Sequence, residues 1–176
     1  MHQECDEISE KLRQVRLLLL DVDGVLTDGS IIYHENGTET KVFNVKDGAG
    51  IRCLMDAGLK VGIVTGRSSG ALRHRCQNLG IDLLFDGVRD KAAVLPAVVE
   101  QTGVSPEAIA FAGDDLPDIP LMRKVGLSIA VGDAHGMVRD QAGMLTRARG
   151  GAGAVREICD AILTAQNLWE KIMERF

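Results

Sequence analysis

The chain has 176 residues, 45% of them hydrophobic and 26% charged, which is the size and make-up of one globular domain. A net charge of −5 and only 3% aromatic residues argue against a nucleic-acid surface, which needs a basic excess and stacking platforms. The longest apolar run, Leu17–Leu20, is far too short to span a bilayer, so no membrane partner is expected.

Residues 1–16 carry acids among their bases, with Ile8, Leu12 and Val15 at near-helical spacing. They predict a short polar helix and not a targeting leader. Leu17–Leu20 stops at Asp21, as a strand buried on both faces does. Residues 30–33 and 42–45 are β-rich and flank Asn36-Gly37, which predicts a hairpin flap over about 30–45. Residues 46–50 read as a loop, and a helix over 51–57 ends at Gly58. A second apolar strand, Lys60–Val64, ends at Thr65. A helix over about 69–79 follows, with Gly80 at its end, then a strand over 81–85. Asp90 is placed to cap a helix from Lys91 to about Gln101, and Ser105-Pro106-Glu107 opens a short helical turn. Strands over 108–112 and 127–131 alternate with helices over 117–125 and 134–141, and Met144-Leu145 is a short last strand. Residues 149–153 are glycine-rich. One helix is expected over 154–176, with Val155, Ile158, Ile162 and Leu163 on its apolar face. Cys5, Cys53, Cys76 and Cys159 form no CxxC pair, so reduced thiols in a cytoplasmic protein are expected.

Strands alternating with helices imply right-handed crossovers, hence an α/β fold with a Rossmann-like, doubly wound parallel sheet. No repeat or linker divides the chain, so a single domain over 1–176 is expected. In such a sheet the ligand site lies beyond the carboxyl ends of the strands. Asp21 and Asp23, Thr65 and Arg67, and Asp114 and Asp115 all stand there. An aspartate is a competent nucleophile toward phosphorus, and a second one two residues on can exchange the proton of a leaving oxygen. The Thr65 hydroxyl and Gly66 amide can donate to one phosphate oxygen, and the Lys91 ammonium can act as a point charge on phosphate and nucleophile. The second acid cluster suits Mg²⁺, which binds through one or two carboxylates plus waters and phosphate oxygens. Asp115 and Asp118 read equally as supports of that cluster or as caps of the Pro117 helix.

The ordered set DVDGVLTDG (21–29), TGR (65–67), Lys91 and GDDLPD (113–118) resembles the haloacid dehalogenase superfamily of phosphohydrolases, over nearly the whole chain from Leu17 to about Glu157. Within it, FNVKDGAGI (43–51), TGRSS (65–69), RCQNLGI (75–81) and GGAGAVRE (150–157) are similar to the branch acting on 3-deoxy-D-manno-octulosonate 8-phosphate, a sugar-acid phosphate of lipopolysaccharide precursor synthesis. The resemblance implies Asp21 as nucleophile and Mg²⁺ ligand. It implies Asp23 as general acid/base, with its backbone carbonyl also on the metal, and Asp114 as the remaining protein ligand. Thr65 and Lys91 would stabilise the phosphate. Contacts to the sugar acid are implied for Asp23, Asn44, Val45, Lys46, Asp47, Gly48, Arg52, Arg67, Arg75 and Lys91. Arginines suit that substrate because each takes a carboxylate or phosphate in a bidentate fork.

Many relatives carry a cap domain over the active site, and no span of this chain has room for one. The resemblance implies a homotetramer instead, in which hairpins meet and cover adjacent sites. Residues 149–153 are separately expected to lie flexibly across a neighbour's site. Two other readings fit the pattern. One is a phosphatase for a nine-carbon sialic-type sugar phosphate, against which Arg67 speaks. The other is a non-catalytic oligomerisation module, which has no need of Asp21, Asp23, Thr65, Lys91 and Asp114 together.

Overall fold

The computed structural model describes residues 2–174, with side chains from Glu7 onward; Met1, Arg175 and Phe176 lie outside the described residues, as does the side chain of Cys5. In chain order the elements are α1 (His2–Gln14), β1 (Leu17–Leu20), β2 (Ile32–Tyr33), β3 (Glu39–Thr40), α2 (Val45–Ala57), β4 (Lys60–Val64), α3 (Gly70–Leu79) and β5 (Leu83–Phe85). A 3₁₀ turn over Lys91–Val94 then leads into α4 (Leu95–Thr102), and β6 (Ile109–Gly113) follows. The last part comprises α5 (Ile119–Met122), β7 (Leu127–Ala130), α6 (Gly136–Arg139), β8 (Met144–Leu145), α7 (Ala154–Ala165) and α8 (Trp169–Met173).

Four consecutive leucines make β1 the centre of a six-stranded sheet of order β5-β4-β1-β6-β7-β8, all pairs parallel. The side chains of β1 are fully buried, each contributing about 2 kcal/mol of apolar burial. β4 pairs on one side of β1 and β6 on the other, with Leu20 opposite both Ile63 and Ala112. The strand order reverses at β1, which opens the crevice where ligands sit in this class of sheet. α7 packs its face of Val155, Ile158, Cys159 and Ile162 onto the core and lies against α2. Among the described residues no helix is long and apolar enough to cross a membrane.

Five expectations need correction. The hairpin pairs Ile32 with Thr40 and Tyr33 with Glu39, so Glu39–Thr40 is the returning strand and not 42–45. Bonds between His34 and Gly37 and between His34 and Thr38 close the turn tightly at Asn36-Gly37, which leaves 42–45 beyond the ladder. Residues 46–50 are not a loop. Asn44 Oδ1 accepts from the Lys46 amide at 2.8 Å and starts α2 at Val45. Gly50 is retained inside that helix because a side chain there would press on Arg156 and Cys159 of α7. The C-terminal helix is broken at Asn167, whose φ is +55°. The Leu168 amide bonds Leu163 O and the Asn167 amide bonds Thr164 O, a Schellman ending with asparagine in place of glycine. Residues 150–151 lie on this chain's own β1 loop, the Gly151 amide bonding Val25 O at 2.9 Å. The segment expected to be flexible is therefore docked at home. The helices expected over 117–125 and 134–141 are also shorter, reduced to a 3₁₀ turn plus α5 and to α6.

Candidate active site

The carboxyl ends of β1, β4 and β6 deliver the polar residues to one cleft of about 250 Å³. It is lined by Asp21, Asp23, Thr65, Gly66, Arg67, Lys91, Asp114, Asp115, Pro117 and Asp118. Strand register brings the two acid clusters together: the Asp21 amide bonds Ala112 O at 3.0 Å, so the chain leaves β1 alongside the end of β6. Gly24 then turns the loop at φ +92°, and a Cβ there would run into the Asp114 carboxylate. Gly150 packs so closely on the Gly24 carbonyl that no side chain fits between them.

Lys91 is buried although it opens a helical turn. Its Nζ lies 2.8 Å from Asp21 Oδ1 and 2.5 Å from Asp118 Oδ1. Burial alone would lower its pKa, but the Asp21 and Asp118 charges outweigh that and raise it. Asp118 also accepts from the amides of Asp114 (2.9 Å) and Asp115 (3.1 Å), while Asp115 Oδ1 takes the Leu116 amide at 2.8 Å. Asp118 thus both caps the turn and holds Lys91. Thr65 is buried at the end of β4, tied by its amide to Phe85 O at 2.9 Å.

Carboxylate oxygens of Asp21, Asp114 and Asp118 lie within 4.8 Å of one another. Burial raises Asp114 to about 8, helped by the neighbouring Asp21 and Asp118 charges. Burial likewise raises Asp21 to about 6, with Lys91 pulling the other way. Asp114 Oδ1 is buried and accepts no hydrogen bond. A buried, unpartnered oxygen among mutually repelling carboxylates fits a hard dication, which favours oxygen ligands and cancels that repulsion.

Two charged residues that the sequence reading passed over complete the rim. Lys41, with a side chain only 2% exposed, bonds Asp23 Oδ1 and lies 2.9 Å from Glu39 Oε1. Burial would lower the Lys41 pKa, but Asp23 and Glu39 raise it. Glu39 is held below the usual carboxylate range by Lys41 and then Arg67. Glu39 and Lys41 stand two apart, so in extended chain they share a face. That spacing was the available signal.

The sugar contacts expected at 44–48 and at Arg52 and Arg75 do not line this cleft. Asn44 is spent on its cap and on Gly151 O, 3.2 Å from Nδ2. Asp47 is buried, its Oδ1 accepting from the Arg156 amide at 2.7 Å. Gly48 is buried, while Val45 and Lys46 are exposed on the first turn of α2. Arg52 donates to Asn78 O at 2.5 Å, a bridge from α2 to α3. Arg75 lines a second cleft with Lys41, Phe43, Ala71, His74 and Asn78, its guanidinium 5.7 Å from the Phe43 ring centre. The helix that displaced the expected loop is the physical reason: it turns the 44–48 polar groups toward α7 or solvent.

Residues 84–158 match the haloacid dehalogenase-like hydrolase family. The chain is 48% identical over 160 residues to the 3-deoxy-D-manno-octulosonate 8-phosphate phosphatase KdsC of Escherichia coli, covering 91% of this chain and 85% of that one. The chain belongs to the haloacid dehalogenase-like phosphatases. The fold of these phosphatases is matched in solved structures. The Yersinia pestis 3-deoxy-D-manno-octulosonate 8-phosphate phosphatase superposes with a TM-score of 0.92 at 45% identity, over 94% of this chain and 89% of that one. The Moraxella catarrhalis enzyme, solved with magnesium, phosphate and the sugar acid KDO, superposes with a TM-score of 0.93 at 40% identity, over 97% and 98%. A non-catalytic module is thereby set aside: this member of the haloacid dehalogenase-like phosphatases is an enzyme.

Proposed function

We propose that this phosphatase hydrolyses 3-deoxy-D-manno-octulosonate 8-phosphate to the free sugar acid and inorganic phosphate, a step of lipopolysaccharide precursor synthesis. The observation that carries the reading is the likeness to the Moraxella catarrhalis enzyme, whose complex holds magnesium, phosphate and KDO, together with a cleft that gathers Asp21, Thr65, Lys91 and Asp114.

Asp21, oriented by Lys91 on Oδ1, attacks phosphorus in line as the bond from phosphorus to the sugar oxygen breaks. Asp23 gives the leaving oxygen its proton. It then takes one from the water that attacks the aspartyl-phosphate, and phosphate leaves. Thr65, the Gly66 amide and Lys91 hold the phosphoryl oxygens. Asp21, Asp114 and the Asp23 carbonyl would hold Mg²⁺, which when bound offsets the repulsion between an anionic nucleophile and an anionic substrate. Arg67 stands over the same cleft to take the substrate carboxylate.

The test is phosphate release with Mg²⁺ on a panel of eight-carbon and nine-carbon sugar-acid phosphates. The eight-carbon substrate is expected to have the highest kcat/KM, a chelator to stop turnover, and Asp21→Asn to leave below about a thousandth of it. Wild-type turnover by Asp21→Asn defeats the mechanism. Preference for the nine-carbon compound shifts the substrate to the sialic-type reading.

A further inference from the structure

Among the described residues that line the cleft, Arg67 is the cation whose side chain is substantially exposed, at 41%, and its guanidinium is already occupied by protein. Nη2 donates to Glu39 Oε2 at 2.5 Å and to the Tyr33 hydroxyl at 3.2 Å, and Nε lies 3.5 Å from Asp23 Oδ2. Glu39 comes from strand β3 of the hairpin, outside the sheet that carries the reacting residues. Its other oxygen, Oε1, is buried and accepts no well-aligned hydrogen bond, although Lys41 Nζ is 2.9 Å away. Lys41 in turn is bonded to Asp23. Glu39 thus holds Arg67 through one oxygen only, in a network whose other acid, Asp23, sits on the β1 loop. A guanidinium fork matches any carboxylate, and the one held here, through a single oxygen, belongs to the enzyme.

We infer that Glu39 is a specificity-determining residue, an internal carboxylate that occupies Arg67 in the free enzyme and yields it to the carboxylate of the incoming substrate. The inference rests on the reading of the substrate as a sugar-acid phosphate. The exchange keeps one carboxylate on the guanidinium, while the rim as a whole takes on the negative charge of the substrate. The displaced Glu39 keeps Lys41 beside it, so its charge is not left unpaired. A phosphate ester without a carboxylate has nothing to put in the fork. It leaves Glu39 in place and gains no contact there. Discrimination between acidic and neutral sugar phosphates thus depends on how tightly Glu39 holds Arg67, a difference of affinities set by an internal competitor.

The experiment uses the Mg²⁺-loaded enzyme and compares kcat/KM for 3-deoxy-D-manno-octulosonate 8-phosphate with kcat/KM for a neutral hexose 6-phosphate. Glu39→Gln weakens the competitor, and Glu39→Asp shortens its reach while keeping the charge. Each is expected to raise the acid-to-neutral ratio roughly three- to tenfold, through a lower KM for the acid substrate with kcat moving less. Arg67→Met is expected to collapse the ratio in the wild-type and Glu39→Gln backgrounds alike. An unchanged or lowered ratio in both Glu39 variants, in an enzyme that still prefers the acid substrate, overturns the inference, as does discrimination that survives Arg67→Met. A wild-type enzyme with no preference for sugar-acid phosphates sinks the substrate reading instead, and the two failures are distinguishable.

Discussion

Asp114 shows how a single side chain trades stability for function. Its pKa, raised to about 8 mainly by burial and then by Asp21 and Asp118, lies above that of an unfolded aspartate. Between those two values the folded state binds more protons than the unfolded one, so this group's contribution to stability falls as pH rises, and its full cost is present above pH 8. Asp114→Asn carries no charge to desolvate. In chelator it should be more stable than wild type by about 2 kcal/mol at pH 8.5, with the gain shrinking toward nothing near pH 4. Mg²⁺ should then raise the melting temperature of wild type at pH 8.5 and leave Asp114→Asn unmoved. A variant that melts below wild type at pH 8.5 in chelator would show that the acid cluster carries no such strain. The same proximity of acids explains why Lys91 is buried: it neutralises Asp21 and Asp118 together, which no solvated lysine does.

At the scale of elements, the start of α2 anchors the glycine-rich segment. Asp47 receives the Arg156 amide at the first turn of α7, and Asn44 Nδ2 donates to Gly151 O. Gly150 and Gly151 rest on the loop that positions Asp23. Asp47→Ala removes a helix cap and should cost about 1–2 kcal/mol, with Asp47→Asn retaining most of it because the amide oxygen still accepts. Amide hydrogen exchange at Gly151 should quicken in the alanine variant, and turnover should fall with it. Unchanged exchange would mean that the segment is held by its glycine contacts alone. The expected loop at 46–50 failed because KDGAG has loop composition, whereas Asn44 at the cap and the need for α2 and α7 to approach at Gly50 decide for helix. The hairpin missed by a few residues for a related reason: β-propensity marked 42–45, but turn closure at His34–Thr38 fixed the register.

On the scale of the whole molecule, the hairpin and the segment that follows it leave large apolar side chains exposed in one chain. Ile31, Ile32, Tyr33, Val42 and Val45 are 44–79% exposed and adjoin the cleft through Glu39 and Lys41. Exposed large apolar groups clustered at the mouth of a site mark an interface, and we propose that other copies of this chain cover them. Ile32→Lys combined with Val42→Lys should dissociate the assembly in light scattering and lower activity, since the cleft would then stand open to water. A wild-type protein that is monomeric at micromolar concentration and fully active removes this proposal.

The sequence by itself determined the α/β class, the strands at Leu17–Leu20 and Lys60–Val64, and the convergence of Asp21, Thr65 and Asp114, because apolar runs ending in polar residues encode both strand and rim; Lys91 was legible only through its place in the order of motifs. Tertiary structure alone decided which partners those residues take. Lys91 is a buried ion-pair centre, Asp118 serves two elements, and Glu39 and Lys41 close over Asp23 from a hairpin outside the main sheet. Propensity and spacing act over a few residues, whereas a salt bridge or a close glycine contact is set by which distant strands and helices come to lie side by side.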